Sequence, residues 1–482
     1  MDSSSTFLVI SGGSACNHIC DAFGQNVSFV LGISDNGGST SELLRVLGGP
    51  SIGDLRSRLI RLMDVKQGDK VERTAIRDLL SYRLPTDGHE HAIKEEWATI
   101  VEGHHKLWAP ITVEKRETIR GFLTMFDYEV LKRANKRFNF RNGSIGNFVL
   151  TGARLFFGSL EAAIFLFSAI TGISESKRVI PVINTNHNAT ISATLENGDT
   201  LQGQCEISHP SATSCAARKR LENPIDFFSQ QAVFEDNYSL ESDSGNLVFS
   251  KAECQQLKSR IHRIYYNNEF GQEIYPIANA KFFDGINSKA TLVYSIGSLY
   301  TSIIPCLILR GVGAAISQSS SLQHKILILN SSNDRETEGY SAWDFIRAIT
   351  DALNESQLID ARRKFYDCLT TERPPSPASN DALPTAMAIP PTGLYQPPIS
   401  LPSTPPGFPP FPNHLFSASP PSRYITDMIY LSNSDIAVDV KAIERIGVRC
   451  IQVQGITQDD GKPGYDANIL GECIEDIVSR RC

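Results

Sequence analysis

The chain has 482 residues, enough for a sizeable core, with 41% hydrophobic residues and a formal net charge of -7. Its ordinary apolar content excludes a wholly disordered chain, and its acidic balance excludes a general nucleic-acid-binding surface. The ten cysteines form no CxxC pair, which argues against zinc and redox motifs and favours a reducing compartment.

The first predicted element is a short apolar strand that ends in small residues. Residues 7–10 are followed by Ser11-Gly12-Gly13-Ser14-Ala15. Glycines let a backbone approach a ligand closely, and parallel α/β sheets bind nucleotides at the carboxyl ends of their strands. Taken alone, these glycines also fit a plain tight turn. No basic stretch and long apolar run with a cleavage site precede the strand, so we predict no secretory signal and a cytoplasmic protein.

A second apolar strand leads into a second glycine-rich turn. Residues 29–33 precede Ser34-Asp35-Asn36-Gly37-Gly38-Ser39-Thr40. We predict that the amides and hydroxyls of this turn bind phosphate, through Asn36, Gly37, Gly38 and Ser39. Asp35 is the predicted catalytic residue, which holds a metal ion or accepts the proton of an attacking hydroxyl. The alternative is that Asp35 caps the next helix.

Two helices are predicted after the second turn. The first covers residues 41–47 and stops at Gly48-Gly49-Pro50. The second is amphipathic and carries Asp54 and Arg56 in its first turn, where Asp54 is suited to capping and Arg56 to binding a phosphate through two hydrogen bonds. A structural salt bridge is the alternative for this pair.

The middle of the chain combines an apolar helical stretch with a predicted hairpin. Residues 148–173 are interrupted by Arg154, Gly158 and Glu161, so we predict a buried helix pair and no membrane span. Residues 178–182 and 189–195 are predicted strands, the second of which turns back to form an antiparallel hairpin added to a parallel sheet. Residues 209–254 are polar without clear periodicity, and we predict an insertion there.

Strand patterns followed by helix or turn signals resume after residue 260. Residues 261–266, 290–294 and 325–329 are predicted strands of the α/β pattern. A third small-residue turn, residues 297–302, follows the second of these strands and begins a helix, so its amides and hydroxyls form a third predicted phosphate site. The residues predicted to bind there are Gly297, Ser298, Tyr300, Thr301 and Ser302. Three such turns after strands are harder to explain by turn formation than one.

A proline-rich segment separates the main domain from the carboxyl-terminal part. Residues 374–421 contain 16 of the 25 prolines, which predicts a disordered or polyproline-type linker over residues 371–423. The linker is either a spacer or a ligand for SH3-like or WW-like modules, and the second alternative describes an interaction protein. Residues 424–482 return to α/β character and are too few for a stable core, so we predict that they complete the main domain of residues 1–370.

The order of these motifs resembles the CofD-like superfamily. The motifs that carry the resemblance are Gly12-Gly13-Ser14, Asp35-Asn36-Gly37-Gly38-Ser39, Gly53-Asp54-Leu55-Arg56, Gly146-Asn147, Gly297-Ser298-Leu299-Tyr300-Thr301-Ser302 and Glu338-Gly339-Tyr340-Ser341. The superfamily includes 2-phospho-L-lactate transferases of deazaflavin coenzyme synthesis and YvcK-type gluconeogenesis factors that bind UDP-sugars. The resemblance covers most of residues 6–350 and, more faintly, residues 424–481.

The resemblance implies a Rossmann-like, mostly parallel sheet and a GDP- or UDP-linked nucleotide diphosphate conjugate in the crevice at its carboxyl end. It also implies a homodimer, no tightly bound organic cofactor and, in the transferase branch, Mg²⁺. In that branch an acceptor hydroxyl attacks a phosphoryl group of lactyl-diphospho-guanosine, and the nucleoside monophosphate leaves. Asp35 then stands on the metal or acceptor side, Gly12, Gly13 and Ser14 lie against the nucleotide phosphates, and Asn147 is a further binding residue.

Three departures from the family pattern bear on this carry-over. Ser11 and Ala15 replace glycines, Asn36 replaces the second acid of an Asp-Asp pair, and Ser295-Ile296 replaces Gly-Pro. Loss of a carboxylate weakens divalent-cation binding, since an amide supplies no charge. We therefore expect a CofD-like nucleotide-conjugate-binding protein with transferase-like phosphoryl transfer and no nucleic-acid or membrane partner. The alternative is a non-catalytic UDP-sugar-binding regulator.

Overall fold

The computed structural model describes residues 5–35, 37–63, 70–133, 135–208, 256–268, 270–371, 408–458 and 461–480. The predicted insertion at residues 209–254 lies outside the described residues. So do Asn36 of the second turn and residues 372–407 of the proline-rich segment.

The strands of the described residues belong to three sheets. In chain order they are β1 (Phe7–Ile10), β2 (Val27–Leu31), β3 (Lys177–Pro181), β4 (Thr190–Leu195), β5 (Thr200–Gln202), β6 (Ile261–Asn267), β7 (Glu273–Ile274), β8 (Thr291–Tyr294), β9 (His324–Ile328), β10 (Asp427–Leu431), β11 (Arg449–Val453), β12 (Ile456–Thr457) and β13 (Pro463–Gly464).

Helices connect these strands and cover the sheets. They are α1 (Ser41–Leu47), α2 (Gly53–Leu62), α3 (Lys70–Ser81), α4 (Glu90–Glu102), α5 (Val113–Leu131), α6 (Ile145–Phe157), α7 (Leu160–Thr171), α8 (Gln204–Ser208), α9 (Ala280–Ser288), α10 (Ile304–Leu307), α11 (Val312–Gln318), α12 (Ala342–Thr371), α13 (Val440–Arg445) and α14 (Ala467–Ser479). A 3-10 helix, Ala15–Phe23, follows β1, and Leu299–Ile303 forms one π-helical turn before α10.

The largest sheet confirms the predicted Rossmann-like fold. Its strand order is β11-β10-β9-β8-β1-β2-β3, and every neighbouring pair is parallel. The chain adds β2 and β3 on one side of β1 and then returns to the other side with β8. In open α/β sheets, ligands bind outside the carboxyl ends of the strands where the strand order reverses in this way. The fold therefore points to the crevice between β1 and β8.

The central strands are buried along their whole length because helices cover both faces of the sheet. All four residues of β1 and all four residues of β8 are buried. Ile10 is paired with Val30 on one side and with Tyr294 on the other. This register brings the turns that follow β1, β2 and β8 to the same edge of the sheet.

The predicted hairpin forms, but it belongs to a separate antiparallel sheet of order β5-β4-β6-β7. The prediction that residues 261–266 extend the parallel α/β pattern is wrong, because β6 pairs antiparallel to β4. In β6, Ile261, Ile264 and Tyr266 are buried while His262 is exposed. Strands with only one buried face are common in antiparallel sheets, whereas central parallel strands are buried on both faces.

The predicted apolar helix pair corresponds to α6 and α7. Helices α5 and α6 approach closely at Gly152, where an added Cβ atom would lie 2.0 Å from the Phe122 carbonyl oxygen. Residues 145–154 of α6 are all buried, and α7 buries one face. Phe156 and Phe165 are nevertheless 62% and 74% exposed. Among the helices of the described ranges, none has the length and apolar character needed to cross a membrane.

The carboxyl-terminal part returns to the large sheet, where β10 pairs with β9 and β11 pairs with β10. The last described stretch of the proline-rich segment lies against α12. Ser419 N–H donates to Asn354 Oδ1 at 2.9 Å, Asn354 Nδ2 donates to the Ser419 carbonyl oxygen at 3.1 Å, and the rings of Phe411 and Phe365 are 5.6 Å apart. The described end of the proline-rich segment therefore packs against α12, the helix that precedes this segment.

Candidate functional site

The first and third predicted turns touch each other at the strand-order reversal. A Cβ atom on Gly12 would lie 3.0 Å from Ser302 Oγ, and one on Gly297 would lie 3.0 Å from the Gly12 nitrogen. Gly297 also has a φ of +153°, a conformation that glycine adopts without strain. Glycine at both positions thus permits a backbone contact that a larger residue would prevent.

A buried arginine supports the first turn through hydrogen bonds. Arg58 is fully buried, and its Nη2 donates to the Gly12 carbonyl oxygen at 2.9 Å and to Ser11 Oγ at 3.2 Å. Its guanidinium lies 4.7 Å from the ring centroid of Phe29 and contacts Cys20 Sγ. Arg58 therefore satisfies the oxygen atoms of the first turn and not its N–H groups.

The third turn is supported by Asn330 and Glu336. Gly297 N–H donates to Asn330 Oδ1 at 3.2 Å, and Asn330 Nδ2 donates back to the Gly297 carbonyl oxygen at 2.8 Å. The buried Glu336 carboxylate accepts from Tyr300 N–H at 2.9 Å, from Thr301 N–H at 3.2 Å and from Thr301 Oγ1 at 2.6 Å. The backbone donors of Tyr300 and Thr301 are therefore engaged inside the protein.

Glu336 also joins the third turn to α8. Ser208, the last residue of α8, donates its hydroxyl to Glu336 and lies 3.1 Å from Thr301 Oγ1. Burial and the charge of Asp334 raise the pKa of Glu336 to about 7, although the hydrogen bonds from Ser208 and Thr301 favour the carboxylate. The protonation state of this residue thus affects how firmly the turn is held.

The second turn folds around Asp35. Gly37 N–H donates to Asp35 Oδ1 at 2.9 Å, and Thr40 Oγ1 donates to the Gly37 carbonyl oxygen at 2.7 Å. Gly38 has a φ of +53°, in the left-handed region that suits glycine. The N-cap residue of α1 is Thr40 and not Asp35, so the capping alternative for Asp35 is wrong. Asp35 orders its own turn.

Asp54 brings a second carboxylate to the same edge of the sheet. A Cβ atom on Gly13 would lie 1.8 Å from Asp54 Oδ1, so the carboxylate lies directly against the first turn. Burial and the charge of Asp35 raise the pKa of Asp54 to about 7, against the opposing influence of Arg58 and the Gly13 amide. The N-cap residue of α2 is Ile52, so Asp54 does not cap this helix.

Arg56 and Asn147, which are far apart in sequence, meet at the start of α6. Arg56 Nε donates to Asn147 Oδ1 at 3.1 Å, and Asn147 is buried. No Asp or Glu side chain in the described part of the chain makes an ion pair with Arg56. The salt-bridge alternative for Asp54 and Arg56 is therefore wrong within these residues, although their charges influence each other.

Several backbone N–H groups at the first and third turns donate to no other described residue, namely those of Gly12, Ser14, Ser298 and Leu299. Ser14 is exposed, and the Ser298 and Ser302 residues are partly exposed. N–H groups of this kind at the ends of parallel strands are suited to an anion. The structure thus brings Gly12, Gly13, Asp54, Gly297, Ser298 and Ser302 together and places Asp35, Gly37 and Gly38 at the same edge.

Four supporting residues were missed at the sequence level: Arg58, Ser208, Asn330 and Glu336. Arg58 follows Asp54 by one helical turn and so shares its helix face, and Asn330 follows the end of β9, the neighbour of β8. Both signals were available in the sequence. Ser208 and Glu336 carry no comparable signal, because their role depends on a contact between distant segments.

A divalent cation is implied by the transferase resemblance, so the donor set matters. Within the described ranges, no three His, Cys, Asp or Glu side chains group together as metal ligands. Asp35 and Asp54 still provide two interacting carboxylates at the carboxyl end of the large sheet. Mg²⁺ is commonly bound by one or two carboxylates together with substrate phosphates and water, so this pair fits Mg²⁺.

Comparison with known proteins gives a family match and a relative that each span most of the chain. Residues 7–380 match the family described as 2-phospho-L-lactate transferase CofD. An uncharacterized protein of Saccharomyces cerevisiae is 34% identical over 477 residues, which cover 92% of this chain and 94% of that protein.

Shorter matches involve two bacterial proteins. A gluconeogenesis factor of Halalkalibacterium halodurans is 30% identical over 112 residues, which are 23% of this chain and 33% of that protein. A putative gluconeogenesis factor of Nostoc is 46% identical over 66 residues, or 14% of each chain.

Among solved structures, a Bacillus halodurans protein described as a member of the UPF0052 family has a similar fold. The TM-score is 0.55 at 16% identity, over 98% of this chain and 99% of that chain. At this level of identity the likeness shows a shared fold.

Proposed function

This chain belongs to the CofD family, and from that membership we propose that it binds a nucleotide diphosphate conjugate at the carboxyl ends of β1, β2 and β8. The main support is the contact of Gly12 with Gly297 and Ser302 at the strand-order reversal. This arrangement puts two sets of backbone N–H groups beside one crevice. A pyrophosphate needs several such donors at once.

At the first and third turns, the donors assigned to the phosphates differ from the sequence prediction at Gly297, Tyr300 and Thr301, whose N–H groups are engaged inside the protein. Gly12, Gly13, Ser14, Ser298 and Ser302 remain the proposed contacts. Tyr300 and Thr301 have a positioning role instead, because Glu336 accepts both of their N–H groups. Their contribution is to hold Ser298 and Ser302 beside the first turn.

The proposal includes phosphoryl transfer to a hydroxyl acceptor, with Asp35 as the proton acceptor or metal ligand. Asp35 and Asp54 are the residues that would hold Mg²⁺, which supplies positive charge against the diphosphate when bound. The Asp35 carboxylate is oriented by Gly37 N–H, so one oxygen is fixed while the group faces the charge of Asp54. This orientation suits a carboxylate that receives the proton of an attacking hydroxyl.

A second candidate function is a regulator that binds a UDP-sugar without transferring a group. The two bacterial relatives named gluconeogenesis factor favour it. Asn36 in place of a second acid in the second turn also favours it, because the turn itself then contributes one carboxylate to a metal instead of two. Cytoplasmic location, a homodimer and recruitment of partners by the proline-rich segment stay predictions.

Calorimetry distinguishes these functions. The purified chain is titrated with GDP, GTP, UDP-glucose and UDP-N-acetylglucosamine, with and without Mg²⁺. Preference for a guanine nucleotide together with metal dependence supports the transferase, whereas metal-independent binding of a UDP-sugar supports the regulator. No binding of any of the four contradicts the proposed nucleotide site.

The Asp35→Ala variant tests the chemical step. With a catalytic Asp35, turnover falls more than nucleotide affinity. An equal loss of both, or no loss of either, contradicts the assignment. Ser34 precedes Asp35 and is buried, so the melting temperature of the variant is measured alongside to show that the turn still folds.

A further inference from the structure

Two arginines lie together beside the start of α6. Arg56 extends from the first turn of α2 and donates its Nε to Asn147 Oδ1 at 3.1 Å. Arg83 follows α3, forms a β-bridge with Ser144 and donates its Nη1 to the Asn142 carbonyl oxygen at 3.3 Å. We call this pair, Arg56 and Arg83, the arginine corner.

Neither arginine forms an ion pair with a described residue. No carboxylate of the described residues lies within 4.0 Å of the guanidinium of Arg56 or of Arg83. Burial, followed by repulsion from Arg83, lowers the pKa of Arg56 to about 10. Partial desolvation also lowers the pKa of Arg83. The charge of Asp54 opposes this lowering at Arg56, and Arg83 is exposed, but among the described residues neither guanidinium is neutralised by a bound carboxylate.

The backbone around the arginine corner is firmly held. Ile145 N–H donates to the Tyr82 carbonyl oxygen at 3.0 Å, and Leu84 N–H donates to the Gly143 carbonyl oxygen at 2.9 Å, on either side of Arg83. At Gly146, a Cβ atom would lie 2.4 Å from the Leu80 carbonyl oxygen and 3.1 Å from Arg56 Cδ. Glycine there leaves the room that Arg56 occupies.

The arginine corner is distinct from the edge where the diphosphate is proposed to bind. Asp54 and Arg56 are two residues apart on α2, so their side chains leave the helix on nearly opposite sides. Asp54 lies against Gly13, whereas Arg56 lies against Gly146 and Asn147. A group bound at the arginine corner therefore lies on the side of α2 opposite to Asp54.

We propose that Arg56 and Arg83 bind an oxyanion, a phosphate or carboxylate, carried by a second ligand that occupies the protein together with the nucleotide conjugate. An oxyanion between two guanidinium groups replaces their repulsion by attraction and accepts charge-assisted hydrogen bonds from both. The second ligand is consequently acidic, as an acceptor substrate or effector. This inference depends on the proposed function in one point only, that the neighbouring site binds a nucleotide conjugate.

The test uses the full-length chain saturated with whichever of the four nucleotides binds. Inorganic phosphate is then titrated by calorimetry, and acetate is titrated in a parallel series to distinguish a phosphate from a carboxylate. We expect one of these anions to bind to the saturated protein. Arg83→Gln weakens that binding by about tenfold or more, because it removes a charged hydrogen-bond donor, while the nucleotide affinity changes less than twofold.

Arg77→Gln is the matched control. Arg77 lies on α3, is exposed and pairs with Asp78 at 3.6 Å, so the variant removes the same charge nearby but outside the arginine corner. The proposal is overturned if Arg77→Gln and Arg83→Gln weaken anion binding equally, or if saturating nucleotide abolishes it. Should no nucleotide bind while phosphate binding still depends on Arg83, the proposed function fails and the anion site stands.

Discussion

The turn after β1 and the turn after β8 lie against each other, but buried groups of opposite charge support them. Under the first turn, the Arg58 guanidinium donates to the Gly12 carbonyl oxygen. Behind the third turn, the Glu336 carboxylate accepts from the N–H groups of Tyr300 and Thr301. The first turn is therefore held through its hydrogen-bond acceptors, and the third turn through its hydrogen-bond donors.

This difference decides what each turn can offer to a ligand. Because Arg58 occupies carbonyl oxygens, the N–H groups of the first turn are its remaining polar groups. The third turn has two N–H groups engaged by Glu336, so the proposed contacts there shift to Ser298 and Ser302. Similar small-residue turns after parallel strands therefore contribute different chemistry to the same crevice.

Breaking the first support has the largest expected effect. Arg58→Met leaves the Gly12 carbonyl oxygen and Ser11 without their buried donor, which lowers the free energy of unfolding by about 3 kcal/mol. Urea denaturation measures the loss. The control is Arg61→Met, which removes another arginine of α2. Arg61 is partly exposed, pairs with Asp21 and donates to the Asn17 carbonyl oxygen, so its loss is expected to cost about 1 kcal/mol. Equal losses in the two variants would contradict the supporting role of Arg58.

Glu336→Ala removes the carboxylate that supports the third turn and leaves the buried N–H groups of Tyr300 and Thr301 unpaired. We expect the free energy of unfolding to fall by about 2 kcal/mol. Glu336→Gln keeps the shape and one acceptor oxygen and recovers part of the loss. Both are measured by urea denaturation, with nucleotide affinity measured in parallel. If Glu336→Gln were as unstable as Glu336→Ala, the hydrogen bonds would not explain the effect.

Crowding the first turn sharpens the comparison on the ligand side. In Gly13→Ala, the added methyl carbon would lie 1.8 Å from Asp54 Oδ1, so the carboxylate must move. We expect nucleotide affinity to fall by about tenfold or more, as overpacking typically costs 1–3 kcal/mol. Gly32→Ala is the control, since nothing lies within 4 Å of a Cβ atom there. Calorimetry that finds the two variants alike would remove Asp54 and the first turn from the site.

The raised pKa of Asp54 predicts how Mg²⁺ binding depends on pH. Below about pH 7 the carboxyl group is protonated, and a metal must displace that proton. Apparent Mg²⁺ affinity in the presence of nucleotide is therefore expected to rise by about tenfold per pH unit up to pH 7 and then to level off. In Asp54→Asn the affinity is lower and loses this dependence. A wild-type affinity that falls as pH rises would contradict the assignment.

The smallest expected effect concerns the third turn. Ser298→Ala removes one proposed hydrogen bond to phosphate, so nucleotide affinity falls by about three- to tenfold, corresponding to a net 0.5–1.5 kcal/mol. The melting temperature stays unchanged, because Ser298 is partly exposed. Ser288→Ala, at the end of α9, is a surface control. A drop in melting temperature without loss of affinity would make Ser298 structural.

Strand patterns and glycines in the sequence are enough to predict the parallel sheet and the positions of close backbone contact. Strand β1 is a continuous apolar run because it is buried on both faces, and the glycines that follow β1 and β8 mark close backbone contacts. The same local rule misplaced residues 261–266, since an isolated strand pattern does not name its partner. Only pairing with β4 put β6 in the antiparallel sheet.

Contacts between distant segments determine which polar groups of the turns are engaged in supporting the fold. Glu336 lies 35 residues beyond Thr301 in the chain and Arg83 lies 27 beyond Arg56, yet each pair meets or interacts in space. Hydrogen bonds and Coulomb interactions depend on distances between atoms and on burial, and no local pattern of residues encodes either quantity. Local sequence thus fixed the turns, and packing between distant segments fixed their chemistry.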